Sequence, residues 1–174
     1  STPFDEGAVD FLEKFKVPAY KVASFEIVDL PLISYISKLG KPIIISTGMA
    51  NFKEILEAVS VVNKNKNKKL ILLHCLSNYP ADNKDYNLSI IGDLKKEFKC
   101  HVGLSDHTVG ETAAIASVAL GARIFEKHIK LDDDNYSQDS SFSMKVSDLK
   151  IFCTNIRMAW ESRGKVDYKK NNEI

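Results

Sequence analysis

Continuous apolar runs of strand length alternate along the chain with segments of helical periodicity. Runs such as Ile43-Ile44-Ile45 predict five strands, at residues 20–24, 42–47, 70–76, 101–105 and 123–129. Apolar residues spaced three or four positions apart predict six helices, at residues 8–15, 30–39, 52–62, 88–98, 111–120 and 147–162. Asn51 and Glu54 have the spacing of a capping box at the start of the third helix. Residues 1–4 have the pattern expected at the end of a further strand.

The regular alternation of strands and helices predicts an α/β fold. Strands that are apolar throughout are typical of a parallel sheet, which leaves a (β/α)8 TIM barrel or an open doubly wound sheet. No GxGxxG motif follows a strand, so the nucleotide-binding open sheet loses its main support. A closed barrel needs eight strands and typically ~250 residues. We therefore expect these 174 residues to form a partial barrel with about the last five strands.

Composition and charge narrow the class of function. The 24 basic and 23 acidic side chains leave a net charge of +1, so no overall field favours nucleic acid or an anionic membrane. No apolar run approaches the ~20 residues of a membrane span. The cysteines, Cys75, Cys100 and Cys153, lie far apart without CxxC spacing, which is typical of reduced thiols in the cytoplasm. We predict a cytoplasmic globular protein that binds small molecules.

Polar residues gather where each predicted strand ends. The motifs are Ser24-Phe25-Glu26, Ser46-Thr47-Gly48, Ser77-Asn78-Tyr79, Ser105-Asp106-His107-Thr108 and Glu126-Lys127-His128. A single hydroxyl at a strand end is more often a cap or turn residue. Five polar strand ends in succession instead indicate a ring of donors around an anion, because substrates bind at the carboxyl edge of parallel strands.

Two histidines form the sharpest pair of candidates. His107 and His128 end successive strands, so they are expected to be neighbours at one rim of a barrel. Side-chain alternation places Ser105 with His107 on one face, and Glu126 with His128 on one face. Two imidazoles suit a divalent metal with open positions for substrate oxygens. The alternative is a pair of hydrogen-bonded rim histidines without a metal.

The remaining polar residues of the strands have simpler expected roles. Lys21 and Lys127 lie within strands, where an ammonium needs an anionic partner or acts as a Schiff-base nucleophile. Asp106 points away from its neighbour His107 and is expected to anchor a loop. His74 is expected to be a packed core residue, and Cys75 a buried thiol without chemistry.

These segments, in this order and spacing, resemble the sialic acid synthase family, whose members make N-acetylneuraminate, legionaminate or pseudaminate. The resemblance runs from Thr2-Pro3-Phe4 to the last helix. The segments that carry it are Tyr20 to Glu26, Lys41 to Met49, Leu73-His74-Cys75 through Tyr79-Pro80, Gly103 to Thr108, and Val118 to Ala122 through Glu126-Lys127-His128.

The resemblance implies a domain arrangement and a reaction. Residues 1–164 would be a partial TIM-barrel synthase domain, and residues 165–174 the start of a linker to a C-terminal antifreeze-like domain that this chain lacks. The full-length protein would be a homodimer. The implied reaction joins phosphoenolpyruvate to the open-chain aldehyde of an N-acylated amino hexose, giving a nine-carbon sugar and phosphate.

The resemblance also implies roles for individual residues. The phosphate and carboxylate of phosphoenolpyruvate would be held by Thr2, Lys21, Ser24, Ser46, Ser77 and Ser105. His107 and His128 would bind a divalent metal, Mn²⁺ or Mg²⁺. The amino sugar would be faced by Glu26, Tyr79 and Asp139. Proton transfer is assigned to Glu26 or Glu126, and the sequence does not choose between them.

Three positions depart from the family pattern. Leu76 stands where the family often has Thr, and Ser77 stands where some members have Asn. The segment Ser137-Gln138-Asp139 replaces a common Gly-Pro-Asp. This loop and the stretch from Phe25 to Pro31 most resemble the pseudaminate synthase branch.

Two alternatives remain open at this point. The first is a Schiff-base pyruvate aldolase on a TIM barrel, with Lys21 or Lys127 as the nucleophile. The second is an inactive barrel fragment, because an incomplete barrel exposes strand edges. We expect the 174-residue chain by itself to show no turnover.

Overall fold

Five parallel strands form the central sheet of the computed structural model, which describes residues 1–168. The strands are β1 (Tyr20–Val22), β2 (Ile43–Ser46), β3 (Leu70–Cys75), β4 (His101–Asp106) and β5 (Ile124–Lys127). They are hydrogen-bonded in sequential order, β1-β2-β3-β4-β5. A doubly wound sheet would reverse its strand order, so the unreversed order confirms the predicted partial barrel.

Helices connect consecutive strands and cover one face of the sheet. They are α1 (Glu6–Lys14), α2 (Leu30–Lys38), α3 (Phe52–Lys64), α4 (Ile90–Phe98), α5 (Thr112–Ala119) and α6 (Leu149–Arg163). Short 3₁₀ helices occur at Ser24–Val28, Asn83–Asp85 and Val146–Asp148. The capping box of α3 is confirmed, since the Glu54 amide donates to Asn51 Oδ1 and the Asn51 amide donates to Glu54 Oε2.

The strand register divides the side chains between two faces. Tyr20 pairs with Ile43, Ile43 pairs with Leu70, and Leu72 pairs with Val102. All five side chains are buried in one cluster with the apolar faces of the helices. The residues between them in sequence point to the opposite, inner face of the half-barrel. The hydrophobic core therefore lies between sheet and helices, and the inner face is left for other side chains.

Four of the five predicted strands are shorter in the structure, and two of them, β1 and β5, end early where the backbone changes direction or type. β1 ends at Val22, because a 3₁₀ helix begins at Ser24. The last strand stops at Lys127 and resumes after His128 as a short β6 (Ile129–Lys130), which pairs in parallel with β7 (Met144–Lys145). The sequence prediction of one strand over residues 123–129 was therefore wrong at its C-terminal end.

The first residue of the chain pairs with the edge strand β1. Ser1 makes the hydrogen bonds of a parallel ladder with β1, as its amino group donates to the Ala19 carbonyl and its carbonyl accepts from the Lys21 amide.

Residues 164–168 belong to no helix or strand, and the rest of the predicted linker, 169–174, lies outside the described residues. Within residues 1–168, the helices are all too short or too polar to span a bilayer.

Candidate active site

The inner face of the half-barrel collects the polar side chains at the strand ends. Ser105 pairs with Cys75 on one side and with Glu126 on the other, so these positions share a face. Two residues further on, His107 and His128 lie on the same face. Asp106 and Lys127 point to the helix side. The alternation expected from the sequence is thus observed.

Two serine hydroxyls lie close to Gly48, just after the end of β2. A Cβ added to Gly48 would lie 2.4 Å from Ser77 Oγ and 2.7 Å from Ser24 Oγ, so only glycine leaves room there. Ser46 Oγ and Ser77 Oγ are buried and have no hydrogen-bond partner among residues 1–168. Buried hydroxyls normally have a partner, so these two are available to a ligand. We refer to Ser24, Ser46, Ser77 and Gly48 as the serine cluster.

An ion pair borders the serine cluster. Lys21 Nζ lies 3.2 Å from Glu126 Oε1, and the same carboxylate oxygen accepts a hydrogen bond of 2.7 Å from Ser105 Oγ. The Lys21 side chain is largely buried, whereas that of Glu126 is 43% exposed. Lys21, Ser105 and Glu126 come from three different strands and meet at one carboxylate oxygen.

The two candidate metal ligands are in contact. The ring centroids of His107 and His128 are 5.3 Å apart and the rings are inclined at 71°. His107 Nδ1 donates to the Leu76 carbonyl at 2.8 Å, and His128 Nδ1 lies 3.3 Å from Asp139 Oδ2. Since a carbonyl can only accept, Nδ1 of His107 carries a proton, which leaves Nε2 as the ring nitrogen that could bind a cation. The carboxylate beside His128 favours the same tautomer there.

This donor set fits a cation held by two imidazoles. The ring separation suits convergence on one ion at the ~2.1 Å typical of metal–imidazole bonds. Over residues 1–168, no group of three or more His, Cys, Asp or Glu side chains is arranged to hold a metal. A cation here would therefore take two ligands from the described chain and keep positions for substrate oxygens.

Aromatic rings line the same pocket. Tyr79 packs on His107 with ring centroids 4.2 Å apart, and Phe142 lies 5.6 Å from Tyr79 and 5.2 Å from His128. Burial, followed by the nearby Cys75, Asp139 and Glu126, raises the pKa of Tyr79. The phenol is therefore neutral at physiological pH and can donate a hydrogen bond to a ligand.

Three other predicted site residues lie in loops or in a 3₁₀ helix, and Asp139 is the one with a contact to the histidine pair given by the described structure. Glu26 is in the 3₁₀ helix after β1, and its Oε2 is buried without a hydrogen-bond partner among residues 1–168. Thr2 follows the residue that pairs with β1 and is exposed. Asp139 contacts His128; its expected role toward the sugar stays a prediction.

Lys127 faces away from the pocket. Its Nζ donates to Asp106 Oδ2 and to the Thr108 carbonyl, both at 2.8 Å, and the two charged side chains are only 5% and 1% exposed. Asp106 Oδ1 also accepts from the Thr108 amide and hydroxyl, so it anchors the loop as expected. An ammonium held in a buried ion pair behind the sheet is a poor Schiff-base nucleophile, and Lys21 is ion-paired as well.

A cavity of about 660 Å³ lies between β5 and α6, but it is on the helix side of the sheet. Its walls include Phe125, Ile156 and Trp160. None of the residues predicted to bind substrate or metal lines it, although Lys127, a candidate for the alternative Schiff-base chemistry, does. The predicted site residues therefore lie outside this cavity.

Two residues of the site were missed by the sequence analysis. Tyr86 is buried beneath the end of β4, where its hydroxyl donates to the Ser105 carbonyl and accepts from the His107 amide. Phe142 packs on His128. Each is a large aromatic residue in a mostly polar loop that contains one other aromatic residue, Tyr79 or Tyr136. Such residues often anchor a loop, and this signal could have identified both.

Comparison with known proteins agrees with this geometry. The model of the NeuB family matches residues 1–168. The N,N'-diacetyllegionaminic acid synthase of Campylobacter jejuni is 45% identical over 94% of this chain and 50% of its own length. The pseudaminic acid synthase of the same organism is 42% identical over 94% of this chain and 48% of its own length. The chain thus spans about half the length of these curated relatives.

Solved structures give the same result. The N-acetylneuraminic acid synthetase of Leptospira borgpetersenii superposes with a TM-score of 0.93 at 33% identity, covering 98% of this chain and 60% of that one. A phospho-2-dehydro-3-deoxyheptonate aldolase of Thermotoga maritima, at 15% identity, has a TM-score of 0.79 over 92% of this chain and 50% of its own. The second likeness shows the fold alone. Legionaminic and pseudaminic acid synthases are almost equally similar, so the predicted pseudaminate branch stays a prediction.

Proposed function

The chain belongs to the NeuB family, and from this premise we propose that it forms part of a synthase of nine-carbon sialic-acid-type sugars. The substrates would be phosphoenolpyruvate and the open-chain aldehyde of an N-acylated amino hexose. The observation that carries the proposal is the placement of buried, unpartnered serine hydroxyls and two neighbouring imidazoles on one face of the half-barrel. The names of the relatives support the class of product.

The serine cluster is the proposed site for the anionic groups of phosphoenolpyruvate. Ser46 and Ser77 each offer a buried hydroxyl without another partner in the described part of the chain. Lys21 supplies the positive charge. Ser105, whose hydroxyl donates to Glu126 in this structure, would join the set by turning its hydroxyl toward the anion. Charge-assisted hydrogen bonds from several donors hold a phosphate or carboxylate in one orientation. Thr2 is proposed to complete this set.

The two histidines are the proposed ligands of a divalent cation, Mn²⁺ or Mg²⁺, through their Nε2 atoms. When bound, such an ion would act as a Lewis acid toward the aldehyde oxygen of the sugar. The chain's own contribution is to occupy Nδ1 of each ring, which leaves Nε2 as the nitrogen that would bind the ion. It does so by bonding Nδ1 of His107 to the Leu76 carbonyl and by placing Asp139 beside Nδ1 of His128.

The reaction forms one carbon–carbon bond and breaks one carbon–oxygen bond. C3 of phosphoenolpyruvate attacks the aldehyde carbon, whose oxygen becomes a hydroxyl. Water adds at C2 with loss of a proton, and the C2–O bond of the tetrahedral intermediate breaks to release phosphate. Glu26 is the preferred proton acceptor, because its Oε2 has no partner within residues 1–168. Glu126 instead holds Lys21 and Ser105 in place.

A phosphate-release assay tests this function. The full-length protein, with phosphoenolpyruvate and a panel of N-acylated mannosamines and diamino hexoses, is expected to release phosphate with at least one acceptor and to lose activity in EDTA. A Schiff-base aldolase would instead survive EDTA and be inactivated by borohydride in the presence of pyruvate. The full-length protein is further proposed to be a cytoplasmic homodimer.

Replacing Gly48 with alanine should selectively weaken binding of phosphoenolpyruvate. The added methyl group would overlap the hydroxyls of Ser77 and Ser24, and we expect KM for phosphoenolpyruvate to rise at least about tenfold, as for a lost charge-assisted hydrogen bond. Steady-state kinetics measures this change. Gly92→Ala, in helix α4 with no close neighbour, is the control and should keep the wild-type KM. Equal KM values for the two variants would refute the proposed location.

A further inference from the structure

His107 lies beyond the end of the strand that carries it. The last pair in the β4–β5 ladder joins Asp106 to Lys127, so strand pairing does not fix the backbone of His107. A ligand placed on unpaired backbone needs another support if its ring nitrogen is to be held within a fraction of an ångström.

That support comes from one loop. The His107 amide donates to Tyr86 Oη at 3.4 Å, and the His107 carbonyl accepts from the Ala81 amide at 2.9 Å. The ring Nδ1 donates to the Leu76 carbonyl at 2.8 Å. Residues 76–86, which connect β3 to α4, therefore bond every polar group of His107 except Nε2.

Tyr86 is the side chain on which this arrangement depends. Its ring is 1% exposed, and its hydroxyl donates to the Ser105 carbonyl at 2.5 Å while accepting from His107. One hydroxyl thus joins the backbone of an anion-binding serine to the backbone of a metal-ligand histidine. No other part of residues 76–86 offers a side chain with both contacts in the described structure.

A buried histidine in turn holds Tyr86. His74 Nε2 donates to the Tyr86 carbonyl at 2.6 Å, and the two rings meet edge to face with centroids 5.7 Å apart. Burial lowers the pKa of His74, which keeps the ring neutral. Burial also raises the pKa of Tyr86 well above its usual value, so the phenol keeps the proton that it donates to Ser105.

We propose that Tyr86 is a positioning residue that sets the geometry of His107 and Ser105 from the β3–α4 loop. It touches neither substrate nor metal, and acts through the backbone of the two residues that do. The inference rests on the proposed function of His107 as a ligand. It goes further by identifying residues 76–86 as the loop that holds His107, and the Tyr86 hydroxyl as the group that fixes the backbone of His107.

The test uses Tyr86→Phe in the full-length protein, with Tyr20→Phe as a matched control. Tyr20 is also fully buried, and its hydroxyl also bonds to a backbone carbonyl and a side chain, but it lies at the opposite end of the sheet. Both variants should lose thermal stability to a similar degree. Only Tyr86→Phe is expected to weaken Mn²⁺ binding, by about tenfold as for other supports of a metal ligand, and to speed hydrogen–deuterium exchange in the peptide that contains His107.

The outcomes separate this inference from the proposed function. Unchanged Mn²⁺ affinity and exchange in Tyr86→Phe, or equal changes in Tyr20→Phe, would overturn the positioning role. If His107→Ala also leaves Mn²⁺ affinity unchanged, the metal site itself is wrong, and the exchange rate at His107 alone decides the role of Tyr86. Faster exchange then supports it, and unchanged exchange overturns it.

Discussion

His107→Ala and His128→Ala are each expected to reduce kcat/KM for phosphate release by the full-length protein at least about 1000-fold. Each change removes one of two imidazoles that face each other at 5.3 Å. Loss of a Lewis acid removes several kcal/mol of transition-state stabilisation, and ~4 kcal/mol corresponds to about three orders of magnitude in rate. Mn²⁺ binding, followed by the paramagnetic resonance signal of the free ion, should be lost in parallel.

His101→Ala is the control for this experiment. His101 is exposed at the first residue of the same strand, about 20 Å from His107 at the ~3.3 Å rise per residue of a strand. Its loss should leave both activity and Mn²⁺ affinity at wild-type levels. If the His107 and His128 variants kept activity while remaining folded, the two rings would be ordinary rim histidines and the metal proposal would fail.

Lys127→Met is expected to destabilise the protein by about 3–5 kcal/mol, the usual cost of removing one partner of a buried ion pair. The change leaves the Asp106 carboxylate, only 1% exposed, without its cation and removes the donor to the Thr108 carbonyl. Urea denaturation followed by circular dichroism measures the free energy of unfolding. Adding Asp106→Asn should recover part of the loss, because no buried charge then remains.

The matched comparison is an ion pair of similar geometry in solvent. Lys84 Nζ lies 3.0 Å from Asp82 Oδ2, with the two side chains 76% and 54% exposed, and Lys84→Met should leave the free energy of unfolding almost unchanged, because solvent screens an exposed pair. Similar losses in Lys84→Met and Lys127→Met would show that burial does not strengthen the Asp106–Lys127 pair.

The fold and the shared face of the site could be predicted because both follow from local periodicity. Apolar runs identified the strands, and strict alternation placed Ser105 and His107 together on one face and Asp106 on the other, as observed. The loop-anchoring role of Asp106 and the burial of His74 were also predicted correctly. These features depend on positions a few residues apart, where strand geometry leaves little choice.

Features that depend on loops could not be predicted in the same way. The interruption of the last strand at His128 accompanies a tertiary hydrogen bond from the Met144 amide to the His128 carbonyl. The contacts of Tyr86 with Ser105 and His107 join residues about twenty positions apart. No periodic pattern records such contacts, because the path of a loop is set by the structure around it.

The division of each strand into an inner and a helix-facing side has a practical consequence for protein engineering. Along β4 and β5, the side chains of the proposed site alternate with side chains that stabilise the fold, so the two sets can be varied separately. A library that randomises Ser105 and Glu126 while keeping Asp106 and Lys127 would sample new substrate preferences on an unchanged scaffold. A library that randomises Asp106 and Lys127 while keeping Ser105 and Glu126 would change mainly the thermal stability of the protein.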